Sequence, residues 1–307
     1  MTRDEKYIAR IILKNKFYAA DKQAFEDLFT KIKQNEDSNF KQIKPQGRLG
    51  DGKCDGFNDK TGEYYQVYAP EELSGKEDKA NTKMESSFNE LVDYWTQNNF
   101  EVKKCYFVVN DKYRNVYASL YANAKKIATD KKIDCEILIC KHLEDVFFSL
   151  DEDKVIDVLG GVIPDPLNIE NVEYSIMQEV IAFLLNSNAP KINEVIPAHP
   201  DFEKKIIFNS LCKAVSDFLN AGQRQSFVIK EFFELESKFT KEELRQAFNN
   251  IYLQAVKEIP ESDTKNDEIF QFIADKSSPK DNFAFHNAVY VLMAYYFEYC
   301  DIFETPN

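Results

Sequence analysis

The sequence predicts two domains, an α/β domain followed by an all-α domain. Strand-like and helix-like patterns alternate up to about residue 155, which is typical of an α/β fold. Two glycines and two prolines fall within residues 159–166 and indicate a domain edge. Beyond this segment the apolar residues recur only at helical spacing. We therefore expect one domain over residues 1–155 and a second over residues 156–307.

Local patterns predict the elements of the first domain in order. Residues 1–16 suggest only a short lead-in element, and a helix is expected over residues 17–34 because Phe25, Phe29 and Ile32 share one apolar face. The remaining patterns predict strands at 40–44, 63–68, 102–109 and 133–140 and helices at 77–96, 113–129 and 143–149. This order predicts a partly parallel sheet packed against helices.

The second domain shows helical patterns throughout. They predict helices at 172–185, 201–221, 223–239, 240–256, 267–275 and 281–303. Thr240 and Glu243 form a capping box that predicts a helix start. Gly222 is expected to end a helix.

Charge and composition narrow the class of protein. The 307-residue chain is 44% hydrophobic and has a formal net charge of −13. Residues 1–150 contain 25 basic and 25 acidic side chains, whereas the remaining residues contain 14 and 27. A neutral first half can approach nucleic acid, and an acidic second half is better suited to protein contacts.

Several classes of site and location are disfavoured by the sequence. Six scattered cysteines without a Cys-x-x-Cys pair, and three distant histidines, argue against zinc and indicate free thiols in a reducing compartment. The charged amino terminus is unlike a signal peptide, and no apolar run is long enough to span a bilayer. We expect a cytoplasmic protein without membrane association. No Walker A loop, GxSxG or HExxH is present, so any ATP hydrolysis is expected in a partner.

A glycine-rich stretch, residues 46–57, is the most informative part of the chain. Its four glycines alternate with the acidic positions Asp51 and Asp55 and favour turns around them, and a turn at Gly62 leads into the strand that carries Gln66. The predicted hairpin would bring two carboxylates and an amide oxygen together, and hard oxygen ligands of this kind suit Mg²⁺. The alternative is an acidic surface hairpin without a ligand.

The motif Gly-Asp-Gly-x-x-Asp-Gly-Phe, followed by Tyr-Tyr-Gln-Val-Tyr-Ala-Pro, resembles the core of PD-(D/E)XK nucleases of the restriction-endonuclease-like, Mrr-like type. More narrowly, it is similar to the double-strand DNA nuclease domains of CBASS effectors and of LmuA-like subunits of Lamassu, which are ABC-three-component anti-phage systems. The resemblance implies a restriction-endonuclease-like α/β fold. It places Asp55 and Gln66 in the catalytic motif and implies Mg²⁺ or Mn²⁺ bound by Asp51, Asp55 and Gln66.

The same resemblance raises two further questions. Mrr-like nucleases often carry a Phe-Glu pair on the first helix, which makes Glu26 a candidate metal ligand, the alternative being a solvated glutamate. The lysine of the motif is replaced by Tyr68, and a phenol cannot supply a permanent positive charge. We expect Lys83, or otherwise Lys79, to supply the catalytic cation from the next helix, although either could be an ordinary surface lysine.

The second domain carries a resemblance of its own. Residues 200–211, together with Gln225 and Phe232-Phe233, look like the C-terminal helical module of ABC-three-component subunits. This resemblance implies an SMC-like ABC ATPase partner, an accessory subunit and a homo-oligomer on activation. The expected function is a metal-dependent endonuclease acting on double-stranded DNA. The alternatives are an inactive nuclease fold retained for binding, and a structural adaptor in which the Gly-Asp loop is only a turn.

Overall fold

The computed structural model describes residues 1–43, 52, 54–71, 75, 77–165, 172–187, 201–235, 238–299 and 302–306. The chain divides into two compact units. The sheet unit comprises residues 16–158, and the helical unit comprises residues 159–307 together with residues 1–15. The first fifteen residues, which the sequence places with the α/β domain, thus belong to the helical unit.

The sheet unit contains a central sheet with helices on both faces. Its strands are β1 (Lys41–Gln42), β2 (Gly56–Asn58), β3 (Glu63–Tyr68), β4 (Lys104–Val109) and β5 (Asp134–Leu138). Its helices are α2 (Gln23–Glu36), α3 (Glu77–Gln97), α4 (Ala118–Lys131), α5 (Cys140–Ser149) and most of α6 (Glu152–Leu159). Helix α1 (Arg3–Ala19) begins in the helical unit and ends in the sheet unit.

Within the described residues the sheet has five strands in the order β1-β2-β3-β4-β5. Strands β1 to β3 pair antiparallel, whereas β3, β4 and β5 pair parallel. The ring of Tyr64 contacts Trp95 of α3, and the ring of Tyr65 contacts Phe29 of α2. Because successive side chains of a strand point to opposite faces, α2 and α3 cover opposite faces, and Gln66 lies on the α3 face.

The helical unit is built around one helix that is buried along almost its whole length. The helices are α7 (Tyr174–Ser187), α8 (Phe202–Phe208), α9 (Lys213–Arg224), α10 (Ser226–Leu235), α11 (Lys238–Glu258), α12 (Lys265–Ser277) and α13 (Phe283–Glu298). Residues 285–297 of α13 are all buried, and α7, α9, α10, α11 and α12 pack against this helix. A helix that is apolar on all sides is expected at the centre of such a bundle.

Gly222 does not end a helix, contrary to the sequence prediction, because α9 continues to Arg224. A Cβ atom at this position would lie 2.5 Å from the carbonyl oxygen of Tyr290 in α13. The glycine therefore allows the backbones of α9 and α13 to approach closely. Its role is in packing rather than in capping.

The lead-in element predicted for residues 1–16 is part of a full helix, α1. Tyr7 donates a hydrogen bond to Asp267, and Lys14 forms an ion pair of 2.8 Å with Glu268. Asn15 donates to the carbonyl oxygen of Glu268 at 3.0 Å. Since these partners lie about 250 residues away along the chain, as the sequence positions show, no local pattern could reveal them.

Two other predicted helix boundaries are also wrong. The helix expected over residues 201–221 is interrupted after α8, where the side chain of Asn209 donates to the carbonyl oxygens of Lys205 and Glu304. Helix α11 begins at Lys238, so Thr240 is not its N-cap.

Candidate functional site

The hairpin of β2 and β3 fixes the backbone of Asp55. The amide of Asp55 donates to the carbonyl oxygen of Tyr65 at 2.9 Å, and the carbonyl oxygen of Asp55 accepts from the amide of Ile43 at 3.1 Å. Antiparallel pairing therefore extends one residue beyond β2 in the amino-terminal direction. In this register Asp55 lies opposite Gln66, as the sequence predicted for the two arms of the hairpin.

Asp55 and Gln66 are in direct contact and are both buried, with 8% and 5% of their surfaces exposed. Oδ2 of Asp55 accepts hydrogen bonds from Nε2 of Gln66 and from the amide of Val67, each at 2.6 Å. A carboxylate only accepts, so the amide group of Gln66 must turn its nitrogen toward Asp55. Its oxygen, Oε1, is then buried without a hydrogen-bond partner among the described residues.

Three more buried polar atoms on this face of the sheet have no partner in the described part of the chain. They are the hydroxyl groups of Tyr64 and Ser87 and the indole nitrogen of Trp95. Ser87 lies in α3 and is 1% exposed. Native proteins pair most buried polar atoms, so a group of unpaired atoms indicates that water or a ligand completes the site. Sequence patterns missed Ser87, because the burial of its hydroxyl depends on tertiary packing.

The two lysines that the sequence offers as the catalytic cation, Lys83 and Lys79, differ in their exposure to solvent. Lys83 is half-buried and Lys79 is exposed, both in the first half of α3. Neither forms an ion pair with another described residue. Lys83 shares a flank of α3 with Ser87 and Tyr94, which lie one and three turns further on.

Gly52, three residues before Asp55, lies against that same flank. A Cβ atom at Gly52 would lie 2.9 Å from the ring of Tyr94 and 3.2 Å from Nε1 of Trp95. The opposite flank of α3 faces α4, as shown by the hydrogen bond between Asn81 and Ser119. Lys83 therefore lies on the side of α3 nearer the Asp55 segment.

Glu26 lies in the first turn of α2 and is half-buried. The amide of Lys22 donates to the carbonyl oxygen of Ala69 at 2.8 Å, so α2 begins next to the carboxyl end of β3. Because α2 covers the face opposite Gln66, Glu26 could reach the Asp55 carboxylate only around the edge of the sheet. Asp51 lies outside the described residues, so its role as a ligand stays a prediction.

Tyr68 occupies the position of the motif lysine and contributes no charge. Its ring stacks on Phe107 at 5.5 Å. Burial raises the pKa of the Tyr68 hydroxyl above its ordinary value, so the phenol is neutral at physiological pH. Burial likewise raises the pKa of the Cys105 thiol on β4, which makes it an unreactive core residue.

The donor atoms suit a hard divalent ion. Asp55 offers a carboxylate and Gln66 offers an amide oxygen without another partner in the described structure, and Mg²⁺ and Mn²⁺ prefer such ligands. Within the described residues there is no cluster of three or more histidine, cysteine, aspartate or glutamate side chains that could hold a metal. The protein donors found here would thus need substrate and water to complete the coordination shell.

The comparisons with known proteins concern the helical unit. No curated protein and no solved structure gave a significant match to the chain. Within the described residues, no helix is long and apolar enough to cross a membrane. Residues 175–304 match the family model of C-terminal domain 10 of the ABC-three component (ABC-3C) systems. This confirms the helical module predicted from the sequence, and the chain is linked to the multi-component ABC-3C systems through this C-terminal domain.

Proposed function

We propose that this chain is the nuclease subunit of an ABC-three-component defence system and hydrolyses phosphodiester bonds of double-stranded DNA. The observation that carries the proposal is the buried contact between Asp55 and Gln66, which leaves one amide oxygen without a partner in the described structure. The proposal is further supported by the pairing of β3, which is antiparallel to β2 and parallel to β4, since the PD-(D/E)XK resemblance implies a sheet of this mixed kind.

In this proposal Asp55 and Gln66 hold Mg²⁺ or Mn²⁺ through carboxylate and amide oxygens. When bound, the ion supplies Lewis acidity at the scissile phosphate and makes a water molecule acidic enough to attack it. The hydrogen bond from Val67 fixes the Asp55 carboxylate so that little reorganisation is needed. Lys83 stabilises the negative charge that develops on the phosphate in the transition state.

The helical unit supports the partner assignment. C-terminal domain 10 is a domain of three-component systems, and the chain contains no Walker A loop. We therefore infer that an SMC-like ABC ATPase and an accessory subunit act with this chain. The ATPase would bring several nuclease subunits together on DNA, since the net charge of −13 opposes unaided accumulation on nucleic acid.

The proposal is tested by plasmid cleavage with the full chain in Mg²⁺ or Mn²⁺, alone and with the ATPase of its system. Asp55→Asn should lower the cleavage rate by about a hundredfold or more, because the ion loses its anionic ligand. Asp59→Asn is the matched control, since Asp59 lies in the same hairpin but pairs with Lys41 on the surface. If Asp55→Asn cleaves at the wild-type rate, the site assignment is wrong.

A second function is favoured by two features of the same site. Oδ2 of Asp55 is already satisfied by two donors, and Tyr68 stands where the motif has a lysine. Both features suit a nuclease fold that binds DNA or protein without cutting. This alternative predicts no cleavage in either metal with the ATPase present, and no effect of Lys83→Met on any reaction.

A further inference from the structure

The loop that follows β4, residues 110–117, starts beside the candidate site. The amide of Asn110 donates to the carbonyl oxygen of Tyr68 at 3.1 Å, and Tyr68 lies two residues after Gln66. The loop therefore leaves the sheet at the carboxyl end of β3 and β4, the edge at which the candidate catalytic residues lie. In the α/β arrangement of this unit, such an edge is the usual place for a ligand.

Buried polar groups hold this loop in one conformation. Asp111 is 2% exposed and accepts hydrogen bonds from the amides of Asn115 at 3.0 Å and Cys140 at 2.9 Å. The hydroxyl of Tyr113 donates to Glu144 at 2.8 Å. A loop fixed in this way presents its exposed side chains with little loss of entropy on binding.

The loop backbone is also strained. Lys112, Tyr113 and Asn115 have φ values of 47°, 57° and 61°, which are costly for residues with a side chain. This conformation delays the start of α4 until Ala118, five residues after the predicted start. Arg114 lies between these residues and is exposed. Strain that persists at the edge of a candidate site is a recognised sign of function.

The loop continues into a surface of basic and aromatic side chains that runs from the loop onto α4. Arg114, Tyr117, Tyr121 and Lys125 form what we name the α4 stripe, because the last three lie one turn apart on one flank. Tyr117 and Tyr121 are 42% and 47% exposed. The buried side of α4 is formed by Leu120, Ala124 and Ile127.

The charge of this segment is unlike that of the rest of the chain. Residues 112–132 contain six basic side chains and a single acidic one, Asp130. Of the basic residues, Lys112 and Lys131 form ion pairs with Asp21 and Asp93 at 2.8 and 3.2 Å. Lys126 lies 3.9 Å from Glu85. Arg114, Lys125 and Lys132 have no ion-pair partner among the described residues.

We propose that the α4 stripe is a DNA-binding surface that holds the duplex at the candidate nuclease site. Unpaired cations bind the phosphate backbone, and exposed tyrosines contact sugars and bases. Charge complementarity favours DNA as the partner. The segment carries a positive net charge, and Arg114 and Lys125 have no ion-pair partner among the described residues, so both can pair with phosphates. This inference rests on the proposed function for the identity of the nucleic acid.

Binding is measured by fluorescence anisotropy with a labelled 30-base-pair duplex, the full chain and no divalent metal, over a series of salt concentrations. Arg114→Gln combined with Lys125→Gln should weaken binding about tenfold at low salt and lower the slope of log affinity against log salt by about two. Tyr121→Ser should weaken binding about fivefold with an unchanged slope, because it removes no charge.

The matched control is Lys41→Gln combined with Lys60→Gln. It removes two exposed charges at the opposite end of the hairpin, near the turn between β2 and β3. Equal losses of affinity in the control and the stripe variant would overturn the proposal, as would wild-type protein that does not bind duplex at low salt. A stripe variant that binds only the ATPase partner less well would assign the surface to protein instead.

The same experiment separates this proposal from the proposed function. Asp55→Asn should bind the duplex as wild type does, since it leaves the stripe intact. Stripe variants that bind normally, alongside an inactive Asp55→Asn, would overturn the stripe and leave the nuclease standing. Stripe variants that lose binding in a protein that never cuts would support the surface and overturn the nuclease.

Discussion

Two buried polar centres of the molecule differ in how completely their groups are paired. In the helical unit, Nζ of the fully buried Lys205 donates to the carbonyl oxygens of Phe297 at 2.8 Å and Ile302 at 2.7 Å. In the sheet unit, Asp55 and Gln66 pair with each other, yet Oε1 of Gln66 is left without a partner in the described structure. We therefore expect the first centre to stabilise the fold, whereas the second has an acceptor that water or a ligand could pair.

The centre at Lys205 also lies at a helix end where charge is useful. Phe297 is one of the last residues of α13, and its carbonyl oxygen accepts both from Lys205 and from the amide of Tyr299, the C-cap residue of this helix. A positive charge near a helix C-terminus is favourable, and the ring of Phe297 adds a contact at 4.5 Å from Nζ. A buried charge with this set of partners is expected to contribute to stability rather than to chemistry.

The largest expected effect in this comparison is the loss of stability caused by Lys205→Met. The substitution keeps the length of the side chain but removes two hydrogen bonds from the ammonium to carbonyl oxygens at a buried site, at a cost of about 1–3 kcal/mol each. We expect the free energy of unfolding of the helical unit to fall by about 3 kcal/mol or more. Far-UV circular dichroism during urea unfolding measures the change.

The control and the readout follow from the structure. Lys204→Met removes the neighbouring, exposed lysine of the same helix and should change stability little. Trp95 is the single tryptophan and lies in the sheet unit, so its fluorescence reports that unit. A Lys205→Met protein as stable as Lys204→Met would show that the ammonium is not needed by the fold, and the contrast between the centres would fail.

The next effect concerns the incompletely paired centre and is expected for Gln66→Glu. Without metal, two carboxylates would face each other at the position of a 2.6 Å hydrogen bond, and the pKa of the pair would rise. The sheet unit should lose about 2 kcal/mol of stability. The loss is present above the ordinary carboxyl pKa of about 4 and disappears as the pH falls below it, because one proton is then shared.

Divalent metal should reverse this loss. Thermal unfolding followed by Trp95 fluorescence at pH 8 is expected to show a larger increase in Tm with Mg²⁺ for Gln66→Glu than for the wild type, since a ligand stabilises the state that binds it. Gln97→Glu, at the exposed end of α3, adds the same charge outside the site. If Mg²⁺ stabilises neither Gln66→Glu nor the wild type, the centre is not a metal site.

Much of this fold follows from short-range patterns, because the packing that forms it is local. The apolar stripe of α3 and the aromatic and β-branched residues of β3 predict these elements closely. Helix α1 could not be predicted in this way. Its polar side chains Tyr7 and Lys14 bind Asp267 and Glu268 of α12, which is remote in sequence.

In the candidate site, too, some features follow from short-range sequence patterns and others depend on tertiary packing. Pairing of β2 with β3 follows from the glycine turn, so the contact between Asp55 and Gln66 could be predicted. The unpaired hydroxyl of Ser87 and the strained loop around Arg114 could not, since both depend on tertiary burial and on backbone angles that propensities do not encode. Glu26 stays a prediction, since the motif places this ligand on α2, which covers the other face of the sheet.

The smallest effect we expect concerns Asp267, a buried acid in the helical unit. It tests whether the hydrogen bonds to this carboxyl group offset the cost of burying its charge. Burial raises the pKa of Asp267, although hydrogen bonds from Tyr7 and Cys212 act to lower it, and the nearby Glu268 raises it further. A carboxyl group whose pKa is raised on folding costs stability once it ionises, so the helical unit should lose stability as the pH rises from about 4 through the raised value.

Asp267→Asn removes this loss. Its stability relative to the wild type should therefore increase with pH, whereas the exposed Asp263→Asn should show no such trend. Urea unfolding at pH 4, 5, 6 and 7 measures the difference, and a pH-independent difference for Asp267→Asn would mean that its partners compensate burial in full.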